Sequence, residues 1–479
     1  MTTSSASLRT SAPWRVLDGF GRAVHAAGRY AAPTAVEELA EILARARAEG
    51  LTVTFRGAGR SYGDAGLNAR GLVIDTSRLN RLLRWEPTSG VCEAEPGLTI
   101  EALWRRTVAD GYWPAVVPGT MFPTLGGCLA ANVHGKNNYR AGPIGEHVVE
   151  IDLVTARGET LRCSAQENAN LFHAVIGGFG LFGAIVRVKL RLKRVVSGRL
   201  DVAALAARDL DEVFDLCEAH LPTSDYVVGW IDGFANGRKR GRGALHAARY
   251  LEPGEDPEAD ETLRVERQGL PNHILGFPRS QVWRAIRMLT HDPGMAFINA
   301  AKYRTSRLTH GHRYLQSHAA FAFLLDYVPD WRLAYGRGGF IQYQLFVPTG
   351  AARECMRDAL RLCQAHGIRP YLGVFKRHRP DRFLLSHALD GWSLALDFRV
   401  TESTRERLRV LTTEITERVL DAGGRFYFAK DSVLTRDQVR RAYGDERVRH
   451  FLALKGKADP DGLFASDLSR RALGIGVES

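Results

Sequence analysis

Three glycine-rich loops constrain this chain more than any other feature. The first is Gly57-Ala58-Gly59-Arg60-Ser61-Tyr62-Gly63, directly after the apolar run LTVTF. The second runs from Pro118-Gly119-Thr120 through Gly126-Gly127 to Asn132-Val133-His134-Gly135-Lys136. The third is Gly177-Gly178-Phe179-Gly180 with Gly183, just before the run AIVRVKLRL. Glycine lets a backbone turn tightly and approach a ligand closely. Successive N–H groups in such a turn form an anion nest, and a helix that starts after a Gly-Gly pair adds its N-terminus. One loop of this kind is an ordinary tight turn. Three in succession describe one extended anionic ligand wrapped in backbone. GAGRSYG is not a Rossmann fingerprint, because no long helix with an acid about 20 residues on follows it.

The bulk numbers narrow the choice further. The chain has 479 residues, 45% hydrophobic and 25% charged. That is ordinary for a folded soluble protein, and at roughly 100–200 residues per domain it predicts two or three domains. Cys92, Cys128, Cys163, Cys217, Cys355 and Cys363 are scattered, with no CxxC and no Cys/His cluster, which argues against a disulfide scaffold or a zinc module. The N-terminal stretch has no apolar h-region, and no run of about 18 apolar residues appears. The expected location is cytoplasmic, at most peripheral at the inner face of a membrane. A net charge of +12 attracts nucleic acid, an anionic membrane or anionic small ligands. The basic residues are dispersed and carry no nucleic-acid motif, so no nucleic-acid partner is expected. The densest run (Arg238, Lys239, Arg240, Arg242) reads as a solvated loop.

Residues 33–49 predict an amphipathic helix with Val36, Leu39, Ile42, Leu43 and Ala46 on one face and Thr34 as its cap. VVEIDLVTARGETLRCS predicts a hairpin turning at Ala156-Arg157-Gly158. The texture changes near residue 200. The hairpin YVVGWIDGF…GALHAARYL, the strands GGFIQYQLFVP, YLGVFK and WSLALDFRV and the helices between them predict a second unit on an antiparallel sheet. Residues 265–315 are rich in Arg and His without clean periodicity. Leu275, Phe277, Trp283 and Met288 there suggest a flap at a pocket mouth, or an ordinary surface segment. The tail 426–479 opens on FYFAKDS and turns helical.

The order RGAGRSYGD, PGT…LGG…ANVHGK, GGFGLFGAIVRVKLRL resembles the vanillyl-alcohol oxidase type of FAD-binding flavoproteins. With GGFIQYQLFVP, YLGVFK, GWSLALDFRV, FYFAKDS and DPDGLFASDLSRR it is most similar to the decaprenylphosphoryl-β-D-ribose 2′-oxidase family. The resemblance implies an α+β fold. FAD lies in a domain made of residues 1–195 and 426–479, and a substrate-binding domain, 196–425, is inserted on an antiparallel sheet. It implies that Gly57, Gly59, Arg60, Ser61, Tyr62 and Gly63 hold the FAD diphosphate region. Gly119, Thr120, Gly126, Gly127, Asn132, His134, Gly135, Gly178, Gly180 and Ile185 line the flavin. Lys136, Gln342, Gln344, Lys376 and Ala395 face the substrate, the two glutamines from one side of a strand.

The implied reaction is oxidation of the C2 hydroxyl of a polyprenyl-phosphate-linked ribose to a keto-sugar. A separate short-chain reductase would then complete epimerisation to the arabinose donor. The cofactor supplies the hydride acceptor, and the protein orients the sugar and manages the hydroxyl proton. Lys430 is the first candidate, as an ammonium stabilising the alkoxide or as a base if burial lowers its pKa; a salt bridge to Asp431 or to the FAD phosphate is its alternative role. Tyr427 relays the proton or packs. Lys136 or Lys376 binds the phosphate. With no His or Cys in GAGRSYG, the FAD is expected to be non-covalent. Ala395 stands where mycobacterial members carry a cysteine, the handle of covalent nitro-aromatic inhibitors, and Ser393 where the family often has Asn. Another sugar, alditol or sugar acid is the alternative substrate. A basic non-enzymatic binding protein is the alternative class.

Overall fold

Alternation along a few strands decides the architecture. In Gly391–Arg399, Trp392, Leu394, Leu396 and Phe398 point one way while Ser393, Ala395 and Asp397 point the other. A computed structural model, which describes residues 12–274 and 276–476, places this strand near one edge of an eight-stranded sheet. The order across that sheet is Arg313–Ser317, Arg199–Ala207, Gly243–Tyr250, Tyr226–Ile231, Leu372–His378, Gly391–Arg399, Phe340–Pro348 and Arg425–Phe426. Every neighbouring pair is antiparallel.

One face of this sheet is covered by helices. Leu210–His220, Thr349–Ala365 and Arg405–Asp421 set Phe214, Met356, Leu360, Leu411 and Ile415 against Phe375, Trp392, Leu394, Leu396 and Leu345 in one continuous core. Phe214, Phe375 and Trp392 form its aromatic centre, with ring centroids 4.8–5.1 Å apart. The opposite face looks into a cavity.

Two smaller sheets sit across that cavity. One has Trp14–Asp18, His25–Ala31, Leu72–Asp75 and Val53–Arg56 in that order, the last three parallel. Parallel neighbours need a crossover, and the helix Val36–Ala48 supplies one. It buries Leu39, Ile42, Leu43 and Ala46, the face read from the sequence, with Val36 partly buried beside them. Its cap differs from expectation: Ala35 holds the N-cap position without a side-chain bond. Thr34 instead donates through its N–H and Oγ1 to the Glu38 carboxylate, which satisfies its own groups and leaves the helix end uncapped. The other sheet is antiparallel, in the order Leu82–Glu86, Val91–Ala94, Ala184–Arg191, Val148–Val154 and Thr160–Ser164. Its last hairpin turns through Gly158 at φ 84°, as expected.

The C-terminal stretch returns to the first small sheet. The Val53 N–H donates to Leu463 O and the Ala465 N–H to Val53 O, and Phe464 joins that core. Arg471 then clamps two distant segments, with both Asp64 oxygens at 2.8 Å and Asp431 at 2.9 Å. Residues 265–315 also differ from the aperiodic reading. They contain the helices Arg279–Leu289 and Asp292–Leu308, whose outer faces carry Arg and exposed apolar side chains together and so show no clean apolar stripe.

Candidate functional site

The three glycine loops and the open face of the large sheet enclose one cavity of about 420 Å³. At one end the first loop leaves the strand Val53–Arg56. Gly59 takes φ 63° there, and a Cβ on Gly63 would stand 1.8 Å from Asp431 O. That close approach exists because FYFAKDS closes on this loop, the Tyr62 N–H donating to Ala429 O at 2.8 Å. Among the described residues, the N–H groups of residues 57–61 find no acceptor. Five successive free donors flanked by the Arg56 and Arg60 guanidiniums make a nest for a diphosphate. Gly119, Thr120, Gly126, Gly127, Gly180 and Ile185 continue the wall. Asp326 ties the second loop to the segment above it, accepting from Thr120 Oγ1 and the Met121 N–H, both at 2.7 Å, and burial pushes its carboxyl up to about 6.

The other wall is the large sheet. Its register sets Trp230, Val374, Ala395 and Gln344 side by side across four strands. Lys376 lies opposite Ser393, and Gln342 opposite Asp397. Gln342 donates to Asp397 Oδ1, and Asp397 Oδ2 has no partner among the described residues. Lys430 Nζ lies 3.5 Å from the centroid of the Tyr62 ring. Burial lowers its pKa, Lys376 lowers it further and Asp397 opposes them; burial likewise raises Asp397. The carboxylate whose charge reaches Lys430 is thus Asp397, while Asp431 is taken by Arg471 and by the N–H groups of Val433 and Leu434.

A second buried network stands beside it. Gln344 Nε2 donates to His134 Nε2 and to Ser393 Oγ, both at 3.2 Å, which puts the His134 proton on Nδ1. Nδ1 has no partner among the described residues, and burial holds His134 well below its usual pKa, so a neutral donor remains. His378 braces Ser393 at 2.7 Å and is held in turn by Asn138 at 3.0 Å. The Tyr427 hydroxyl is also buried without a partner, and burial raises its pKa well above 10, so it stays protonated. Lys136 lies over the Phe321 ring and donates to Ala322 O at 3.0 Å.

All the residues expected at the ligand lie on this wall except three. Asn132 holds structure instead, accepting from the Gly145 N–H at φ 43°. Gly135 and Gly178 stand behind the wall against Asn137 and Ala174. The sequence reading omitted Arg56, Trp230, His246, Lys302 and Asp397. Asp397 had a signal, since it lies two residues from Ala395 on an alternating strand.

Six cationic side chains and no carboxylate line the cavity. Together with the free N–H groups, this donor set fits a dinucleotide cofactor and a second anionic ligand. Among the described residues no cluster suits a metal ion, and no helix is long and apolar enough to cross a membrane.

Comparison with known proteins agrees with this donor set. A family model described as an FAD binding domain matches residues 27–164. The chain is 30% identical over 475 residues to decaprenylphosphoryl-beta-D-ribose oxidase of Mycolicibacterium smegmatis, covering 95% of this chain and 96% of that protein. Partial similarity extends to cytokinin dehydrogenase 5 of Arabidopsis thaliana, 32% identical over 34% of this chain and 31% of the relative. It extends also to L-gulonolactone oxidase of Bos taurus, 29% identical over 41% and 44%.

Proposed function

The chain belongs to the decaprenylphosphoryl-β-D-ribose oxidase family of FAD-dependent oxidoreductases, and from that premise we propose that it oxidises the C2 hydroxyl of a polyprenyl-phosphate-linked ribose to the keto-sugar. The observation that carries the proposal is the buried Lys430 on a cavity wall with six basic side chains, with the Asp397 carboxylate behind that wall on Gln342. FAD, when bound, supplies the acceptor for the hydride leaving C2. The first-loop N–H groups with Arg56 and Arg60 hold its diphosphate; Gly119, Thr120, Gly126, Gly127, Gly180 and Ile185 leave room for its ring. The lack of His and Cys in residues 57–63 favours non-covalent attachment.

Lys430 takes the hydroxyl proton. Burial favours its neutral amine. The ammonium formed then lies over the Tyr62 face and toward Asp397, where both a ring quadrupole and a carboxylate favour positive charge. Tyr427 OH and His134 Nδ1–H are buried donors facing the same space, suited to a sugar oxygen. Gln342, Gln344 and Lys376 orient the remaining hydroxyls, and Ala395 leaves the floor apolar.

The proposal includes the domain arrangement. Residues 1–195 and 426–479 hold FAD and 196–425 hold the sugar; the large sheet, drawn from residues 199–399 with a short edge at 425–426, supports this division. It also includes a short-chain reductase that consumes the keto-sugar toward an arabinose donor for the cell wall, and peripheral contact with an anionic membrane. Phe277, Met288, Phe297 and Leu308 are 68%, 73%, 66% and 80% exposed. Residues 277–315 carry seven Lys and Arg against the single acid Asp292, which suits an anionic surface. Trp283 is half-buried there, and Leu275 lies outside the described residues.

Anaerobic mixing of the FAD-loaded protein with a prenylphosphoryl ribose tests the reaction. Bleaching of the flavin with release of the 2-keto sugar is expected. Bleaching by a free alditol or sugar acid, with none by the phosphoribose, defeats it.

A further inference from the structure

The six cations on the cavity wall fall into separate groups. Arg56 and Arg60 stand at the first loop, where their charged neighbours are Asp18, Asp75, Asp326, Asp330 and Arg332. Lys430 and Lys376 stand over the middle of the sheet. The third group joins Lys136, read from the sequence as a phosphate candidate, to Lys302, which has no role yet. Lys302 projects from the helix Asp292–Leu308, its Nζ 4.6 Å from the centroid of the Trp230 ring. It lines the cavity and is also exposed to solvent, which puts it at the mouth. His246, on the strand Gly243–Tyr250, lines the same cavity; burial first, then the charges of Lys136 and Lys302, lower its pKa to about 4. No carboxylate pairs with Lys302 or Lys136 among the described residues.

We propose that Lys302, Lys136 and His246 form an anion subsite at the cavity mouth that takes the phosphate of the substrate. This deepens the proposed function and rests on it. Lys302 offers a phosphate a charge-assisted donor that no carboxylate among the described residues competes for, with His246 beside it as a neutral hydrogen-bonding group and Lys136 deeper, held by the Phe321 and Ala322 carbonyls. The position also suits a phosphate joined to a chain that leaves the site. The helix carrying Lys302 buries Asn299 and Tyr303 and turns Phe297 and Leu308 outward to solvent. A sugar at Lys430 and Lys376, a phosphate at Lys302 and an apolar tail along that outer surface follow one path from the buried end of the cavity to the surface. Trp230, packed against the Lys302 ammonium, keeps that side chain extended over the sheet.

Calorimetric titration of the FAD-loaded protein with geranylgeranyl phosphate and, separately, with ribose 5-phosphate tests the subsite. Lys302→Met keeps the apolar stem and removes the charge; it should weaken phosphate binding about tenfold or more. Lys302→Arg keeps the charge and should retain it. Flavin content and melting temperature show that each variant is folded. Lys302-dependent binding of either phosphate supports the subsite, and the tighter of the two names the source, lipid or free sugar phosphate. Equal affinity of wild type and Lys302→Met for both probes, or no binding of either by wild type, overturns it. The two readings fail separately. If prenylphosphoryl ribose bleaches the flavin with the same KM in Lys302→Met, the subsite falls and the oxidation stands. If it never bleaches the flavin while prenyl phosphate binding still needs Lys302, the oxidation falls and the subsite stands.

Discussion

The two faces of the eight-stranded sheet are made by the same strands and differ in almost everything else. On the helix side Phe375, Trp392, Leu394 and Leu396 pack into the main apolar core. On the opposite side the alternate residues are Lys376, Ser393, Ala395 and Asp397, two of them ionisable. Three unpaired buried polar atoms stand there and beside it, at Asp397 Oδ2, His134 Nδ1 and Tyr427 OH, against the Trp392 indole N–H on the helix face. Each such atom costs about 1–3 kcal/mol when no partner is bound. The helix face offsets that cost by burying large apolar side chains. One strand thus separates stability from chemistry by a single residue's step.

The sharpest way to break this comparison is a pair of substitutions on opposite faces. Trp392→Ala removes a fully buried ring between Phe214 and Phe375. It should cost about 3–5 kcal/mol, read as a fall in the denaturation midpoint, while the folded fraction keeps its flavin reduction rate. Lys430→Met should do the reverse. Flavin reduction by substrate should fall by about 10²–10³, the scale of losing one group that acts in the transition state. Denaturation midpoint and FAD content should hold or rise, because a buried ionisable group that is costly to desolvate has gone. Loss of activity in Trp392→Ala at full folding, or unfolding in Lys430→Met, would show that the faces are not separable.

Smaller effects follow from the charges around Lys430. Asp397 favours the Lys430 ammonium and Lys376 disfavours it. Asp397→Asn removes the favourable charge, so Lys430 gives up its proton at lower pH. Lys376→Gln removes the unfavourable one, so it does so at higher pH. With Lys430 as the base, the rising limb of the anaerobic reduction profile should move down by about 1 unit in the first variant and up in the second. Movement in the same direction in both would remove Lys430 as the titrating group.

Much of this was legible in the sequence, and the gaps have physical reasons. The glycine loops were readable because backbone approach demands glycine whatever the rest of the chain does; Gly63 against Asp431 O shows that demand. Gln342, Gln344 and Ala395 were readable through strand alternation and family resemblance. Asn132, Gly135 and Gly178 share the loops but stand off the cavity wall, since a glycine or asparagine that shapes a turn looks the same in sequence as one that touches a ligand. Lys302 was not legible. Its helix mixes Arg, Lys and apolar residues on its exposed side, so periodicity failed, and only the fold brings residue 302 over residue 230. The alternative role of Lys430, a salt bridge to Asp431, fails for a related reason: Asp431 is adjacent in sequence but is taken by Arg471, and the carboxylate whose charge reaches Lys430 is Asp397 from a distant strand.

The smallest expected effect concerns Ala395, at the centre of the cavity face. Its side chain is buried between Val374 and Gln344 in the cross-strand row. All six native cysteines are buried, and Cys128, the one on the cavity wall, has its thiol pushed up to about 12 by burial. Thiolate is the reactive form, so wild-type protein should label slowly with thiol reagents and resist covalent nitro-aromatic inhibitors. Ala395→Cys adds one sulfur beside the cavity, where Lys376 supplies positive charge one strand away. Stability and flavin reduction should change by less than about threefold, within what a single small buried substitution costs. The new thiol should label far faster than the native six, read as one added mass per chain, and protection by a bound prenylphosphoryl ribose should slow it. Equal labelling of wild type and variant would mean that the cavity face is closed to small molecules from outside, and the contrast between a sealed face and an open one would fail at its centre.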